Sequence, residues 1–119
     1  NILNKKEIVI QGDGKETLDF TYIEDLVNGI ICAIKSKKSL NQTFNLTFGK
    51  AQPINKLIYF LRKNFPKVKI KYTKRDRLMP KRGTLSTAKA KKLINFKSKW
   101  PLNKGYQKYI DWYKEFYNN

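Results

Sequence analysis

The chain has no histidine and one cysteine, Cys32. A Ser-His-Asp or Cys-His catalytic set therefore cannot be assembled from these residues. Ordinary zinc sites draw on the same side chains, so no metal site is expected. A single cysteine cannot form an internal disulfide. In "VNGIICAIKS" it sits among apolar residues, where a thiol behaves as a small buried hydrophobe. A reducing, cytoplasmic setting is the expectation. No apolar run approaches the roughly 20 residues that cross a bilayer, so no membrane partner is expected. There is no internal repeat and no low-complexity tract. The chain starts at Asn1 with neither a Met nor a basic-then-apolar leader, and the expectation is a fragment of a longer reading frame.

Acids are also scarce. Nine stand against 26 Lys and Arg, for a net charge of +17, and six of the nine lie between Glu7 and Asp25. Such a surplus suits a polyanion, and a basic nucleic-acid-binding module is the alternative reading. The distribution argues against it. Lysines occur in every segment, whereas arginine is limited to Arg62, Arg75, Arg77 and Arg82. Phosphate-reading surfaces favour arginine, whose planar fork binds oxygens in pairs. Lys, Asn and Ile all have A/T-rich codons, and compositional bias accounts for most of the lysine.

What is present reads as one α/β domain over residues 1–119, the length of a single modest domain. "EIVI" (7–10) predicts a short strand, "GDG" (12–14) a turn with positive φ, and "LDFTY" (18–22) a second strand. Thr21 with Glu24 has capping-box spacing, and Glu24 and Asp25 suit the positive end of a helix. Ile23, Leu26, Val27, Ile30, Ile31 and Ile34 then recur at helical spacing and predict the core face of that helix. "TFNLTFG" (43–49) alternates as a half-buried strand does. Pro53 opens a helix whose apolar face is Ile54, Leu57, Ile58, Leu61 and Phe65. "KVKIKY" (67–72) is another alternating strand. Residues 73–85 form an aperiodic loop holding three of the four arginines. Ser86 or Thr87 caps a short helix through "AKAKKLI". A final helix carries Leu102, Tyr106, Tyr109, Ile110, Tyr113, Phe116 and Tyr117 on one stripe, expected to be core. The predicted order is β-β-α-β-α-β-α-α.

Two motifs mislead. Gly12-x-Gly14 lacks a third glycine at Thr17, and a strand follows where a phosphate-binding helix is required. Tyr59 and Lys63 match Tyr-x-x-x-Lys, but that face lies opposite the apolar stripe and should meet water.

Three longer stretches carry a resemblance. "GDGKETLDFTYIEDLVNGI", "TFNLTFGKAQPINKLIYFL" and "PKRGTLSTAKAKKLINFKSKWPLNKGYQKYIDWYKEFY" resemble, in order and in register over nearly the whole chain, the C-terminal part of the extended short-chain dehydrogenases/reductases. These are the NAD-dependent nucleotide-sugar epimerases and dehydratases. The resemblance implies a substrate-binding fragment whose Rossmann core, the NAD(P)-binding domain, is missing. It implies that the catalytic Ser/Thr and the working Tyr-x-x-x-Lys lie upstream of Asn1. This chain would then hold no catalytic and no cofactor-binding residue. The parent would oxidise its sugar transiently, as an isomerase or a lyase, with NAD(P) as cofactor. The partner implied is a nucleoside-diphosphate sugar, UDP- or dTDP-linked.

By the same resemblance, two arginines hold the diphosphate. One precedes the Asp-Phe pair, where this chain has Leu18. The other comes from the late loop, near Asp76, flanked here by Arg75 and Arg77. Arg82, in "KRGTL", is a third candidate. Gln11 and Val9 fall on the nucleotide-facing strand. Asp19 and Asp25 match family acids and are expected to be structural, Asp19 by accepting hydrogen bonds from a neighbouring loop. The strand at 43–48 would edge the absent sheet, with unpaired backbone groups, so unusual pairing or a homodimer is expected.

Overall fold

The computed structural model describes residues 1–118. Its elements are β1 (Ile8–Gln11), β2 (Thr17–Leu18), α1 (Ile23–Lys35), a 3₁₀ turn (Lys37–Ser39), β3 (Gln52–Pro53), α2 (Ile54–Asn64), β4 (Ile70–Thr73), α3 (Ala88–Ile94) and α4 (Leu102–Asn118). The α/β class is the one the sequence predicts, and the order β-β-α-β-α-β-α-α recurs with Gln52–Pro53 as its third strand in place of the expected 43–49. The chain forms two compact units, each made of two separate segments.

The first unit comprises residues 1–18 and 52–83. Its larger strand pair is parallel, β1 against β4, with Ile8 opposite Ile70 and Gln11 opposite Thr73. The N–H of Gly12 donates to Thr73 O (2.8 Å) and carries the pairing one residue further. Along β1, Ile8 and Ile10 are half-buried while Val9 and Gln11 are exposed, the period of two that a one-sided strand requires. β2 pairs with β3 antiparallel, Thr17 opposite Pro53 and Leu18 opposite Gln52. Pro53 ends that strand and stands at the N-cap of α2, whose inward residue is Ile58. Tyr59 and Lys63 are exposed, as their position opposite the apolar stripe requires.

The second unit comprises residues 19–51 and those from Thr84 onward. Its core is Ala90, Ile94 and Phe96, with Cys32, Ala33, Phe44, Leu46 and Leu93 packed against it. Cys32 is half-buried rather than buried. Helical spacing puts Ala90, Leu93 and Ile94 on one side of α3. Asn95 ends that helix at φ 56°, a left-handed cap. The turn aims Phe96 into the core, where its N–H donates to Ala90 O (3.3 Å).

Three expectations fail in this unit. Segment 43–48 is not a strand. It has no ladder partner among the described residues, and without one the alternation produces only burial: Phe44, Leu46 and Phe48 are half-buried while Thr43 and Asn45 are exposed. Its Phe48 N–H is taken by the hydroxyl of Thr21 (3.3 Å). That bond also explains the missing capping box, since α1 starts at Ile23 with Tyr22 as N-cap and no side-chain cap. The predicted strand at 18–22 shortens accordingly to Thr17–Leu18.

The stripe of α1 is the second failure. Ile23, Leu26, Val27, Ile30, Ile31 and Ile34 are exposed, and Asp25 and Gly29 are buried instead. Small side chains allow close approach. A Cβ on Gly29 would stand 2.9 Å from Leu46 Cδ2 and 3.1 Å from Phe96 Cδ2. The third failure is α4, where Ile110 is buried and Gly105 packs against Tyr22, but Tyr109, Trp112, Phe116 and Tyr117 are exposed. These aromatics stack along the helix, Tyr109 on Trp112 (5.9 Å) and Trp112 on Phe116 (5.5 Å). Their regular spacing serves one another rather than a core.

Asp25 is the buried charge of the unit, 2% exposed. Its Oδ1 accepts from the N–H of Lys99 (2.8 Å) and its Oδ2 from the N–H of Trp100 (3.0 Å). The carboxylate thus ties the first turn of α1 to the segment ahead of α4. Asp19 accepts from Gly49 N–H at both oxygens (3.1 Å each) and from Leu85 N–H (3.4 Å). Both acids are scaffold, as expected.

Candidate functional site

All six candidate substrate-contact residues fall in the first unit. Val9 and Gln11 share the open face of β1, and Gln11 stands at its carboxyl end opposite Thr73. In α/β folds with parallel strands, ligands bind outside the carboxyl ends. Both chain segments leave that end through distinctive turns.

After β1 comes the turn 12–14. Gly12 has φ 85° and Gly14 has φ 72°, a region costly for other residues. The side chain of Asn55 occupies the space a Cβ at Gly14 would need. That side chain donates to Asp13 O (3.1 Å), while Asn55 N–H donates to Gly14 O (2.9 Å). The turn is therefore pinned from α2. Asp13 accepts from Lys15 N–H (3.0 Å), and this bond holds its carboxyl below the usual carboxylate range.

After β4 comes the arginine loop. The stem of Arg75 lies across the turn, its Cβ and Cδ 3.7 Å from where a Gly12 Cβ would be. Its Nε pairs with Glu16 Oε1. Its Nη2 donates to Met79 O (2.8 Å) and Pro80 O (3.3 Å). Asp76 caps the same turn by accepting from Leu78 N–H (2.9 Å). Arg77 and Arg82 are exposed. The carbonyl of Arg82 accepts from the Thr17 hydroxyl (3.3 Å), which holds the end of the loop against β2. Leu18 is half-buried on that strand.

The structure thus brings Arg75 against Gly12 just after Gln11 at the end of β1, and the backbone of Arg82 against Thr17 on β2. Arg75 is engaged, whereas Arg77 and Arg82 present their side chains to solvent. The residue that the sequence reading passed over is Glu16. Its only signal was an acid two places before Leu18, just ahead of β2. Among the described residues, no group of three or more His, Cys, Asp and Glu side chains could hold a metal ion. No helix among them is long and apolar enough to cross a membrane.

The model of the NAD dependent epimerase/dehydratase family matches residues 1–47. The UDP-glucuronic acid 4-epimerase of Bacillus cereus, solved in complex with UDP-glucuronic acid and NAD, superimposes with a TM-score of 0.85 at 28% identity, over 97% of this chain and 37% of that one. The chain has the fold of the matching part of that epimerase. The UDP-glucuronate 4-epimerase of Thermodesulfobacterium geofontis is 33% identical over 126 residues, 96% of this chain and 35% of that protein. An uncharacterized protein of Methanocaldococcus jannaschii is 35% identical over 119 residues, again 35% of its length. The chain thus spans about a third of the length of these two relatives.

Proposed function

We propose that this chain is the C-terminal, substrate-binding region of an NAD-dependent nucleotide-sugar epimerase or dehydratase. It grips the diphosphate of a UDP- or dTDP-linked sugar and is catalytically incomplete by itself. The observation that carries this reading is the arginine loop at the carboxyl end of the parallel pair, in a chain similar along nearly its whole length to a UDP-glucuronate 4-epimerase. A diphosphate wants fixed cationic donors, and a guanidinium supplies them in a planar fork. Arg77 and Arg82 offer exposed side chains on a loop held at Arg75 by Glu16 and at Arg82 by Thr17. Gln11 offers an amide at the end of β1, and Val9 an apolar surface on the same face of that strand. NAD(P), bound by parts of the parent outside these residues, would supply the hydride chemistry.

The test is a titration of UDP-sugar, dTDP-sugar and a DNA duplex at two salt concentrations. The enzyme reading expects nucleotide binding that Arg77→Ala and Arg82→Ala each weaken about tenfold, the worth of one charge-assisted hydrogen bond. Duplex binding with a steep salt slope, and no response to either nucleotide sugar, would favour the nucleic-acid alternative. The comparisons lend that alternative no support.

A further inference from the structure

The acid beside the proposed diphosphate site calls for an explanation. An unpaired carboxylate there would repel the ligand. We propose that Glu16 is a positioning residue that presents Arg75 to the diphosphate on the face of β2 that carries Leu18. This rests on the nucleotide reading above and adds the residue that organises the site.

Residues 16–18 form one extended run. Thr17 and Leu18 pair with Pro53 and Gln52, and the N–H of Ile54 donates to Glu16 O (3.0 Å), so the ladder reaches Glu16. Side chains two apart on a strand point to the same face, about 7 Å from one another. The guanidinium bound to Glu16 is therefore delivered to the face from which the side chain of residue 18 projects. Leu18 has no charge to place there. Arg75, arriving from the loop after β4, does.

The held arginine is well prepared for an anion. Its Nε is committed to Glu16, and its Nη2 to Met79 O and Pro80 O. The two N–H groups of Nη1 have no partner among the described residues, and the side chain keeps 31% exposure. Fixing a donor before the ligand arrives removes the ordering cost from the binding step. The pair as a whole is neutral. Arg75 thus contributes direction rather than net charge, and the exposed Arg77 and Arg82 supply the field.

Electrostatics and positioning predict opposite signs for one substitution. Glu16→Gln adds a positive charge to the site. Field strength alone would tighten UDP binding, whereas a mispositioned Arg75 loosens it. The experiment is calorimetric titration of the full 119-residue chain with UDP, UMP and uridine, repeated with the thymidine series. Positioning expects Glu16→Gln to weaken UDP about tenfold and to leave uridine within twofold. Arg75→Lys, which keeps the charge but cannot bridge Glu16 and two carbonyls at once, is expected to do the same. Leu18→Arg removes no contact of the clamp and is expected to tighten UDP severalfold. In the Arg75→Lys background it is expected to restore the loss.

UDP binding unchanged or tighter in Glu16→Gln overturns the proposal. So does an equal loss for uridine and UDP, which would mark a merely structural pair. If Glu16→Gln fails to fold, no gain from Leu18→Arg overturns the proposal instead. Failure of the unmodified chain to bind any of these nucleotides overturns the nucleotide reading itself, a result distinct from the others.

Discussion

Replacing Asp25 by alanine should unfold the second unit far more readily than any surface change. The carboxylate is 2% exposed and accepts two backbone N–H bonds, from Lys99 at 2.8 Å and Trp100 at 3.0 Å. Alanine leaves both part-buried N–H groups without their acceptor. A buried unpaired donor costs about 1–3 kcal/mol, and two such groups about 2–6 kcal/mol. Relief of the buried charge and some water entry bring the expected loss to about 3 kcal/mol. Small domains hold about 5–15 kcal/mol in all. With a urea slope of roughly 1.5 kcal/mol per molar, the midpoint should fall by about 2 M. Asparagine should cost about 2 kcal/mol, because one N–H keeps a carbonyl partner while the other meets an amide NH₂. The assay is urea unfolding followed by tryptophan fluorescence. Both tryptophans, Trp100 and Trp112, lie in the unit that contains Asp25. A midpoint for Asp25→Ala within about 0.3 M of the parent, under 0.5 kcal/mol at that slope, would refute the reasoning.

Three further outcomes are expected. Gly29→Ala and Gly105→Ala should each destabilise by about 1–3 kcal/mol despite better helix propensity, because the new Cβ would lie 2.9 Å from Leu46 Cδ2 or from Tyr22 Cβ. Gly83→Ala, with nothing within 4 Å, is the neutral control in the same melts. Ile34→Lys should change stability by less than about 0.5 kcal/mol, since that residue is 79% exposed. A loss of several kcal/mol in a urea titration would return α1's aliphatic stripe to the core. The phenol of Tyr106 is pushed up to about 12, first by burial and then by the charge of Tyr109. The folded state holds that proton more tightly than the unfolded one. The stabilisation is therefore complete below about pH 10 and is lost as pH rises through about 12. Two pH units correspond to about 2.7 kcal/mol at full weight. Tyr106 is only half-buried, so screening leaves roughly 1 kcal/mol, absent in Tyr106→Phe when alkaline melts are compared.

Helices were legible because apolar recurrence and the punctuation at Pro53, Gly49 and Pro66 are local signals. Which face of a helix is buried was not local. On α1 the large side chains point outward because Asp25 and Gly29 have partners far along the chain, Trp100 lying 75 positions from Asp25. No count of hydrophobic spacing contains those partners. The strand expected at 43–48 failed for a related reason: alternation describes two faces, whereas a strand also needs a neighbour to bond. At the site, the loop and its arginines were readable from composition. The engagement of Arg75 was not, because its acid lies just ahead of β2 and the two meet only once β2 and β4 have been placed.

Neither compact unit is a continuous stretch of sequence. The chain passes from one to the other near residues 18, 51 and 83. No single cut can therefore release either unit whole, and a protein carrying one of them alone needs a new join between its two segments. A genetic exchange that replaced the first unit would likewise need three crossovers.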